Sequence, residues 1–470
     1  MVKYLKNLKF HAFKVLGLNL LLDIDRMKLC RIDNILLDAL NNCDCKTKTL
    51  LVKRLGNRYS QNEINRCLAG LNEMDKRGLL APSSMDPLPM CSNRPVVALC
   101  LYITTICNLF CNYCFVYDNI QRTSIQSMSE SIAEQAIDFL ILKSKDIKNL
   151  SLYFFGGEPL LNFEVLVHAT EYAKKQGKKN NKNFLFFVTT NGTLFNTDIQ
   201  DYLHKNQFRI MFSIDGPPEI QNTNRPFRNG HGSYNVVAKN LKNFLQKCST
   251  KTISLRATLS PPIFNVLSQV QHLLNEFKID TIAIEPVEDI QAKANVNLKQ
   301  TDIIKLKHQY KQLAKWYIGQ LQAGHYFSIT SFYKIMRLYH LAGRKDTGCG
   351  ACVSYMAGDT EGNIFPCHRF IGINSFKLGH INGGILYPNI QKELLLANRT
   401  KIACVNCWAR YQCGGGCHAC HFKATESIFK VDTKFCELMR YRIELALGIY
   451  ATLKIKNPAI INRLFGEINK

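Results

Sequence analysis

Cys107-Asn108-Leu109-Phe110-Cys111-Asn112-Tyr113-Cys114 decides how this chain is read. Three thiols fall within eight residues, separated by three residues and then by two. One loop of that length delivers three thiolates to a single centre. A [4Fe–4S] cluster normally takes four thiolates, so three leave one iron open to an external ligand. Catalytic metals keep an open position of this kind. Structural zinc with a remote fourth ligand, or inert buried thiols, are the competing readings.

The loop follows an apolar run, Val96–Thr104, that reads as a strand. Five more such runs follow: Leu150–Phe155, Phe184–Thr189, Arg209–Ile214, Ser254–Leu259 and Asp280–Glu285. Helical periodicity lies between and after them, near 129–144, 163–176, 197–206, 233–247, 264–277 and 300–322. Six strand–helix units predict an α/β fold with parallel strands, a partial (β/α)6 barrel rather than a closed eight. Function in such folds sits at the C-terminal ends of the strands. Gly156-Gly157-Glu158-Pro159, Thr190-Asn191-Gly192 and Asp215-Gly216-Pro217 fall at those ends.

Residues 1–94 read as a separate winged-helix-like module. Two strands are expected within Leu18–Ile32, then helices near 34–41, 47–55 and 61–77. Ile64, Cys67, Leu68, Leu71 and Met74 recur at helical spacing in the third helix, and Gly78-Leu79-Leu80 caps it. Pro82, Ser83, Ser84, Pro87 and Pro89 form a linker. The barrel then spans 95–330. Residues 331–470 form a loop-rich, cysteine-rich domain ending in an apolar helix near 435–455, too poor in apolar runs to fold without metal centres.

The whole chain is 470 residues, the length of about three domains. Hydrophobic residues make up 46% and charged residues 20%, which excludes a disordered or fibrous protein. The formal charge of +24 favours an acidic partner without choosing between nucleic acid, peptide and small anion. Most of the 19 cysteines are clustered, which points to metal and a reducing cytoplasm rather than to disulfides. No apolar stretch is long enough to span a membrane. Lys3, Lys6, Lys9 and Lys14 precede an apolar run, but Asp23 and Asp25 follow at once, so a first strand is expected there rather than a signal peptide.

Cys-x3-Cys-x-Tyr-Cys, with Tyr113 as the aromatic, resembles the core motif of the radical S-adenosylmethionine (SAM) enzymes over about 96–330. The resemblance implies that the open iron binds SAM. One electron then cleaves the sulfonium to methionine and a 5′-deoxyadenosyl radical, which abstracts hydrogen. It also implies that Gly156, Gly157 and Glu158 meet the SAM amino group, and that Tyr113, Asn191 and Ser213 lie at the cofactor. Arg225 or Arg256 pairs with the SAM carboxylate or ribose region. Related chains read His-Asp-x-x-Arg where this one has Gln221-Asn222-Thr223-Asn224-Arg225, so the arginine is kept and the acid is lost.

The tail resembles the SPASM extension of radical SAM peptide-modifying enzymes over about 345–440. Cys352 precedes Gly362 and Cys367, and Cys404-x2-Cys407-x5-Cys413-x3-Cys417 and Cys436 follow. The resemblance implies two auxiliary [4Fe–4S] clusters, three clusters in all. One is held by Cys349, Cys352, Cys367 and Cys417, the other by Cys404, Cys407, Cys413 and Cys436. Taken alone, Cys404-x2-Cys407 would suggest zinc. Cys420 is left over as a bystander, an alternative ligand or a catalytic thiol. His368 stands where sulfatase-activating relatives carry an aspartate base; with Arg369 and Phe370 it looks more like the peptide-crosslinking and quinohemoprotein-maturing branches, which disfavours the sulfatase reading, and it is a candidate catalytic residue or a mere hydrogen-bond partner near the cluster.

These features lead to a maturase of a ribosomally made peptide or protein, with thioether cross-linking as the first expectation. Sulfatase-type oxidation of Cys or Ser to formylglycine is the alternative. The N-terminal module would bind the leader of the precursor by strand addition. Ferredoxin or flavodoxin with a reductase is the expected electron donor. An RNA-modifying iron–sulfur protein and a zinc-binding interaction protein are the readings from other classes. The mixed charge of the third helix, with Glu63 and Glu73 among Arg66, Lys76 and Arg77, disfavours nucleic acid.

Overall fold

In the computed structural model, residues 10–42, 48–76, 94–119, 126–287, 296–345, 347–400 and 402–466 are described. The expected linker and the Gly78-Leu79-Leu80 cap lie outside these residues.

Strands β4 (Ala98–Thr104), β5 (Asn149–Gly156), β6 (Asn183–Thr190), β7 (Arg209–Ser213), β8 (Ile253–Leu259) and β9 (Thr281–Pro286) are the six read from sequence. All pair in parallel with their neighbours in chain order. A two-residue strand, β10 (Ser328–Ile329), extends the sheet beside β9. The intervening helices lie within a few residues of their expected limits, and the last spans Gln300–Gln322 as read.

The strands alternate between two environments. In β5, Leu150, Leu152 and Phe154 are fully buried against the helices, while Ser151, Tyr153 and Phe155 face inward and stay partly exposed. The same alternation runs through β8. The outward face is the core, where each buried large apolar side chain contributes about 1.5–3 kcal/mol. The inward face lines a chamber that the helices do not fill.

The tail joins this sheet. Strand β11 (Tyr355–Gly358) pairs in parallel with β4, and β12 (Asn363–Phe365), β13 (Gly379–His380) and β14 (Gly384–Ile385) continue it antiparallel. The sequence reading missed these strands because they are short and carry glycines and polar residues. The helix expected near 435–455 runs Thr433–Lys456. It packs beside the helices Gln300–Gln322 and Thr330–His340.

Residues 10–76 form a three-stranded antiparallel sheet of β1 (Phe10–Val15), β2 (Leu18–Asp23) and β3 (Lys28–Arg31), followed by helices at Asn34–Asn41, Lys48–Gly56 and Gln61–Lys76. Strand β1 is an addition to the two strands expected. Its partner is set by a tight turn, with Leu16 at φ 49° and Gly17 at φ 83°, the signature of a two-residue hairpin loop. One face of this sheet is buried on the helices. The other, with Phe13, Val15, Leu20 and Leu22, joins the main core.

Arg442, on the helix Thr433–Lys456, meets Glu285 of β9 through two hydrogen bonds of 2.8 and 3.2 Å. Arg442 is nearly inaccessible, and the pairing holds the Glu285 carboxyl below its usual range against the opposing effect of burial. Arg442→Ala leaves that carboxylate facing the chamber without its partner. The expected cost is about 3 kcal/mol, read as a lower midpoint in anaerobic denaturant unfolding.

Candidate active site

Two backbone contacts fix the three-thiol loop. Gly157 N–H donates to Thr104 O at 2.8 Å and Glu158 N–H to Ile106 O at 2.8 Å. A Cβ on Gly157 would sit 2.1 Å from the Ile106 carbonyl oxygen, so only glycine permits this approach. On the other side, Phe110 N–H donates to Pro226 O and Asn112 N–H to Asn224 O, while the Arg228 guanidinium reaches Cys107 O at 2.7 Å.

Cys107, Cys111 and Cys114 lie close enough to repel one another as thiolates. Burial, the largest effect, pushes Cys107 to about 11 and Cys111 to about 12. Three such thiols ionise together when a cationic centre compensates them, which fits a cluster at this loop. Arg225 also favours the Cys111 thiolate. Among the described residues, no three His, Cys, Asp or Glu side chains converge as they would on a single metal ion. A four-iron cluster spreads its thiolates around a larger body.

The surrounding residues are placed as follows. Asn191 donates to Asn108 Oδ1 at 2.9 Å and lies 3.7 Å from Cys107 Sγ. Glu158 is fully buried, and both its oxygens are engaged: Oε1 accepts from Thr190 Oγ1 and Leu160 N, Oε2 from Asn191 N at 2.6 Å. Burial raises it to about 7 against these bonds. In this geometry Glu158 ties the ends of β5 and β6 together. Tyr113 donates to Asp215 Oδ2 at 2.6 Å, and Arg225 donates to the Tyr113 oxygen at 2.9 Å. Ser213 and Arg256 are register partners on β7 and β8.

Several cysteines of the tail lie near one another. Cys349 interacts with Cys352 and Cys367, and Cys367 with Cys417. Cys413 and Cys436 interact with each other and with Cys404 and Cys407. Close backbone packing brings the first set together, since a Cβ on Gly348 would lie 1.9 Å from Gly416 O. Cys420 is buried on Cys417. Their contact pulls Cys417 below the usual thiol range and pushes Cys420 above it, and the Arg369 guanidinium lies 3.7 Å from Cys420 Sγ.

His368 leaves the first set and enters the chamber. Its Nδ1 is 2.7 Å from the Tyr355 hydroxyl, and its ring centroid is 4.9 Å from that of Phe155. Burial, then Arg256, lowers it to about 4, so it is neutral at physiological pH. Tyr355 and Glu285 were not singled out from sequence, and Asp215 was noted only within the strand-end Asp215-Gly216-Pro217, with no role given to it. Asp215 sits in an Asp-Gly-Pro stretch that looks like a turn, and no spacing marks Tyr355. Glu285, a charge ending an apolar strand, was a usable signal.

Residues 101–259 match the Radical SAM superfamily model. The chain carries a radical SAM domain. Its SAM and one [4Fe–4S] cluster therefore belong to the chemistry of this site. The cysteine-type anaerobic sulfatase-maturating enzyme of Clostridium perfringens is 26% identical over 360 residues, 72% of this chain and 93% of the relative. The radical SAM cyclopropyl synthase TigE of Paramaledivibacter caminithermalis is 23% identical over 88% of this chain and 89% of the relative. In fold, the chain is similar to anSMEcpe with bound AdoMet and Cp18Cys peptide (TM-score 0.63, 22% identity, 79% of this chain and 99% of that one). It is also similar to Streptococcus suis SuiB bound to precursor peptide SuiA (TM-score 0.52, 15% identity, 91% and 98%). No helix among the described residues is long and apolar enough to cross a membrane.

Gly157→Ala should push the two strand-end loops of this radical SAM site apart. The expected outcome is more than about tenfold weaker SAM binding, the loss of one good polar contact or more, with iron content retained. Titration of the electron paramagnetic resonance (EPR) signal with SAM checks it.

Proposed function

We propose that the chain is a radical SAM maturase that oxidises a cysteine or serine of a peptide or protein to formylglycine. The arrangement that carries this is the inner chamber, which has the three-thiol loop at one side and the Cys367-His368-Arg369 loop at the other. The sequence-similar cysteine-type sulfatase-maturating enzyme of Clostridium perfringens, aligned over 93% of its length, favours oxidation over the thioether formation expected first, and a serine-type relative aligned over 37% of its length points the same way.

When bound, SAM and the reduced cluster supply the 5′-deoxyadenosyl radical that abstracts hydrogen. The protein's task is to position and to exclude water. Cys107, Cys111 and Cys114 would hold that cluster. Gly156, Gly157, Asn191 and Ser213 would face the cofactor, with Arg225 and Tyr113 behind the loop. Glu158 would act by fixing the strand ends. Phe115 and Phe155, 6.2 Å apart, shield the chamber from solvent. With Nδ1–H donating to the Tyr355 oxygen, Nε2 of His368 would accept a substrate proton, the task of the aspartate expected in relatives. Two further clusters on the gathered cysteine sets would take up the surplus electron, with Cys420 beside the first. Ferredoxin or flavodoxin would supply the electron. The division at about 94 and 330 follows these roles, although β11, paired with β4, keeps the barrel and tail in one sheet.

One observation favours thioether cross-linking as a second reading. The sheet of residues 10–31 has the largely exposed edge strand Lys28–Arg31, where Leu29 N–H already donates to the Tyr339 hydroxyl at 3.0 Å and the remaining edge could take an added peptide strand. The likeness to SuiB, at 91% of this chain, extends into this module.

Anaerobic turnover with a cysteine-containing peptide tests the proposal by mass spectrometry. Replacement of the thiol by an aldehyde oxygen is expected. Loss of two hydrogens with sulfur retained supports the cross-linking reading instead. An unmodified peptide beside rapid SAM cleavage overturns both. Replacing Cys107, Cys111 and Cys114 together with Ala should abolish 5′-deoxyadenosine formation while iron and sulfide at the other two centres remain.

A further inference from the structure

Strand β8 turns Ser254, Arg256 and Thr258 toward the chamber, because Leu255, Ala257 and Leu259 are fully buried on its other face. Arg256 stands beside Ser213 of β7 and Ala283 of β9. Its charged neighbours are Glu285, Arg369 and Asp215, and its charge also reaches His368 and Tyr113. It therefore lies between the three-thiol loop and the loop that carries His368.

The acids nearby are already committed. Both oxygens of Glu285 are bound by Arg442. Asp215 accepts from Tyr113, Thr258 and Asn224. Among the described residues Arg256 makes no side-chain hydrogen bond and no ion pair of its own. A guanidinium carries five donors, and those of the half-buried Arg256 face the chamber without a side-chain acceptor among the described residues. The position suits an incoming anion. Deeper along the neighbouring strands, level with Arg209, Phe187 and Tyr153 stack at 4.3 Å; Tyr153 meets Tyr355 at 5.7 Å and Phe155 lies against His368, so a partly exposed aromatic strip suited to an extended peptide leads up to the His368 loop beside Arg256.

We propose that Arg256 sets specificity by binding a carboxylate of the substrate, an Asp or Glu side chain within a residue or two of the position oxidised. This rests on the peptide-modifying function proposed above. The planar fork of arginine binds a carboxylate through two bonds, and the +24 charge of the chain favours an acidic segment on approach. The carboxylate of SAM is the other source of the same chemistry, so the test has an arm for each.

The full-length enzyme, reconstituted anaerobically, is titrated with labelled synthetic peptides whose central cysteine is flanked by Asp, Asn or Arg. Wild type is expected to bind the Asp peptides about tenfold or more tighter than the Asn peptides, and the Arg peptides weakest. Arg256→Gln, at wild-type iron content, is expected to erase the Asp-over-Asn ratio, and Arg256→Lys to keep part of it. Equal binding of Asp and Asn peptides by wild type, absence of binding by any peptide, or a ratio that survives in Arg256→Gln overturns the proposal. So does an Arg256→Gln variant that loses SAM affinity in an EPR titration while the peptide ratio stands, which assigns the residue to SAM. The maturase function is judged separately, from the masses of the peptides after turnover, and fails if no mass changes whichever way the ratio falls.

Discussion

Two backbone hydrogen bonds, from Gly157 and Glu158 to the carbonyls of Thr104 and Ile106, hold the loop on which the rest of the site depends. A cluster with one open iron is useful only if its three thiolates keep their places when the external ligand arrives. Side-chain contacts alone would leave an eight-residue loop with too many conformations. Backbone-to-backbone bonding at the strand ends removes that freedom, and it demands residues without a Cβ. The glycine pair follows from the rigidity of the thiol loop. The buried Glu158 completes the frame by tying β6 to the same point, with three hydrogen bonds offsetting much of the cost of burying a carboxyl.

The interior distributes charge by the same logic. Arg225 shares the Tyr113 hydroxyl with Asp215, and Arg442 occupies Glu285. Each pairing is buried or nearly so, where an unmatched charge is expensive. His368 avoids that expense by staying neutral, and a neutral imidazole accepts a proton where an aspartate would accept one as an anion. That exchange shifts the charge of the chamber by a full unit relative to an aspartate at the same place. With its acids committed, the chamber presents a cationic wall.

The barrel was legible in the sequence because its strands bury one face completely. Runs such as Phe184–Thr189 are apolar enough to read without a partner. The thiol loop was legible because its three cysteines fall at short, fixed spacing, whereas the division of the tail cysteines into two sets came only from the resemblance. What stayed hidden depends on contacts distant in sequence. Tyr355 matters because β11 lies beside β4, more than 250 residues away, and nothing local to Tyr355 announces that pairing. Strand β1 escaped notice because the apolar run beginning at Val15 crosses the hairpin turn and reads as one strand rather than two. The cofactor-facing roles of Asn191 and Ser213 were read by analogy, since a single polar residue at a strand end has many uses.

The helix Thr433–Lys456 shows how the parts act as one body. Its first turn carries Cys436, which lies near Cys404, Cys407 and Cys413. Six residues later Arg442 reaches into the barrel to Glu285, and two residues beyond that Glu444 accepts from His11 of β1 at 2.8 Å. Two residues on a helix are about 200° apart, so Arg442 and Glu444 face opposite sides and the helix is gripped between barrel and N-terminal sheet. The His11 ring stacks on Trp408 at 3.7 Å, and Asp25 binds Arg410 at 2.8 Å. Trp408 and Arg410 lie between Cys407 and Cys413. The N-terminal sheet is therefore seated on the loop that carries the second cysteine set. A peptide strand added to that sheet would be positioned by the same residues that position the cysteines, which is a physical reason for the two modules to occur in one chain.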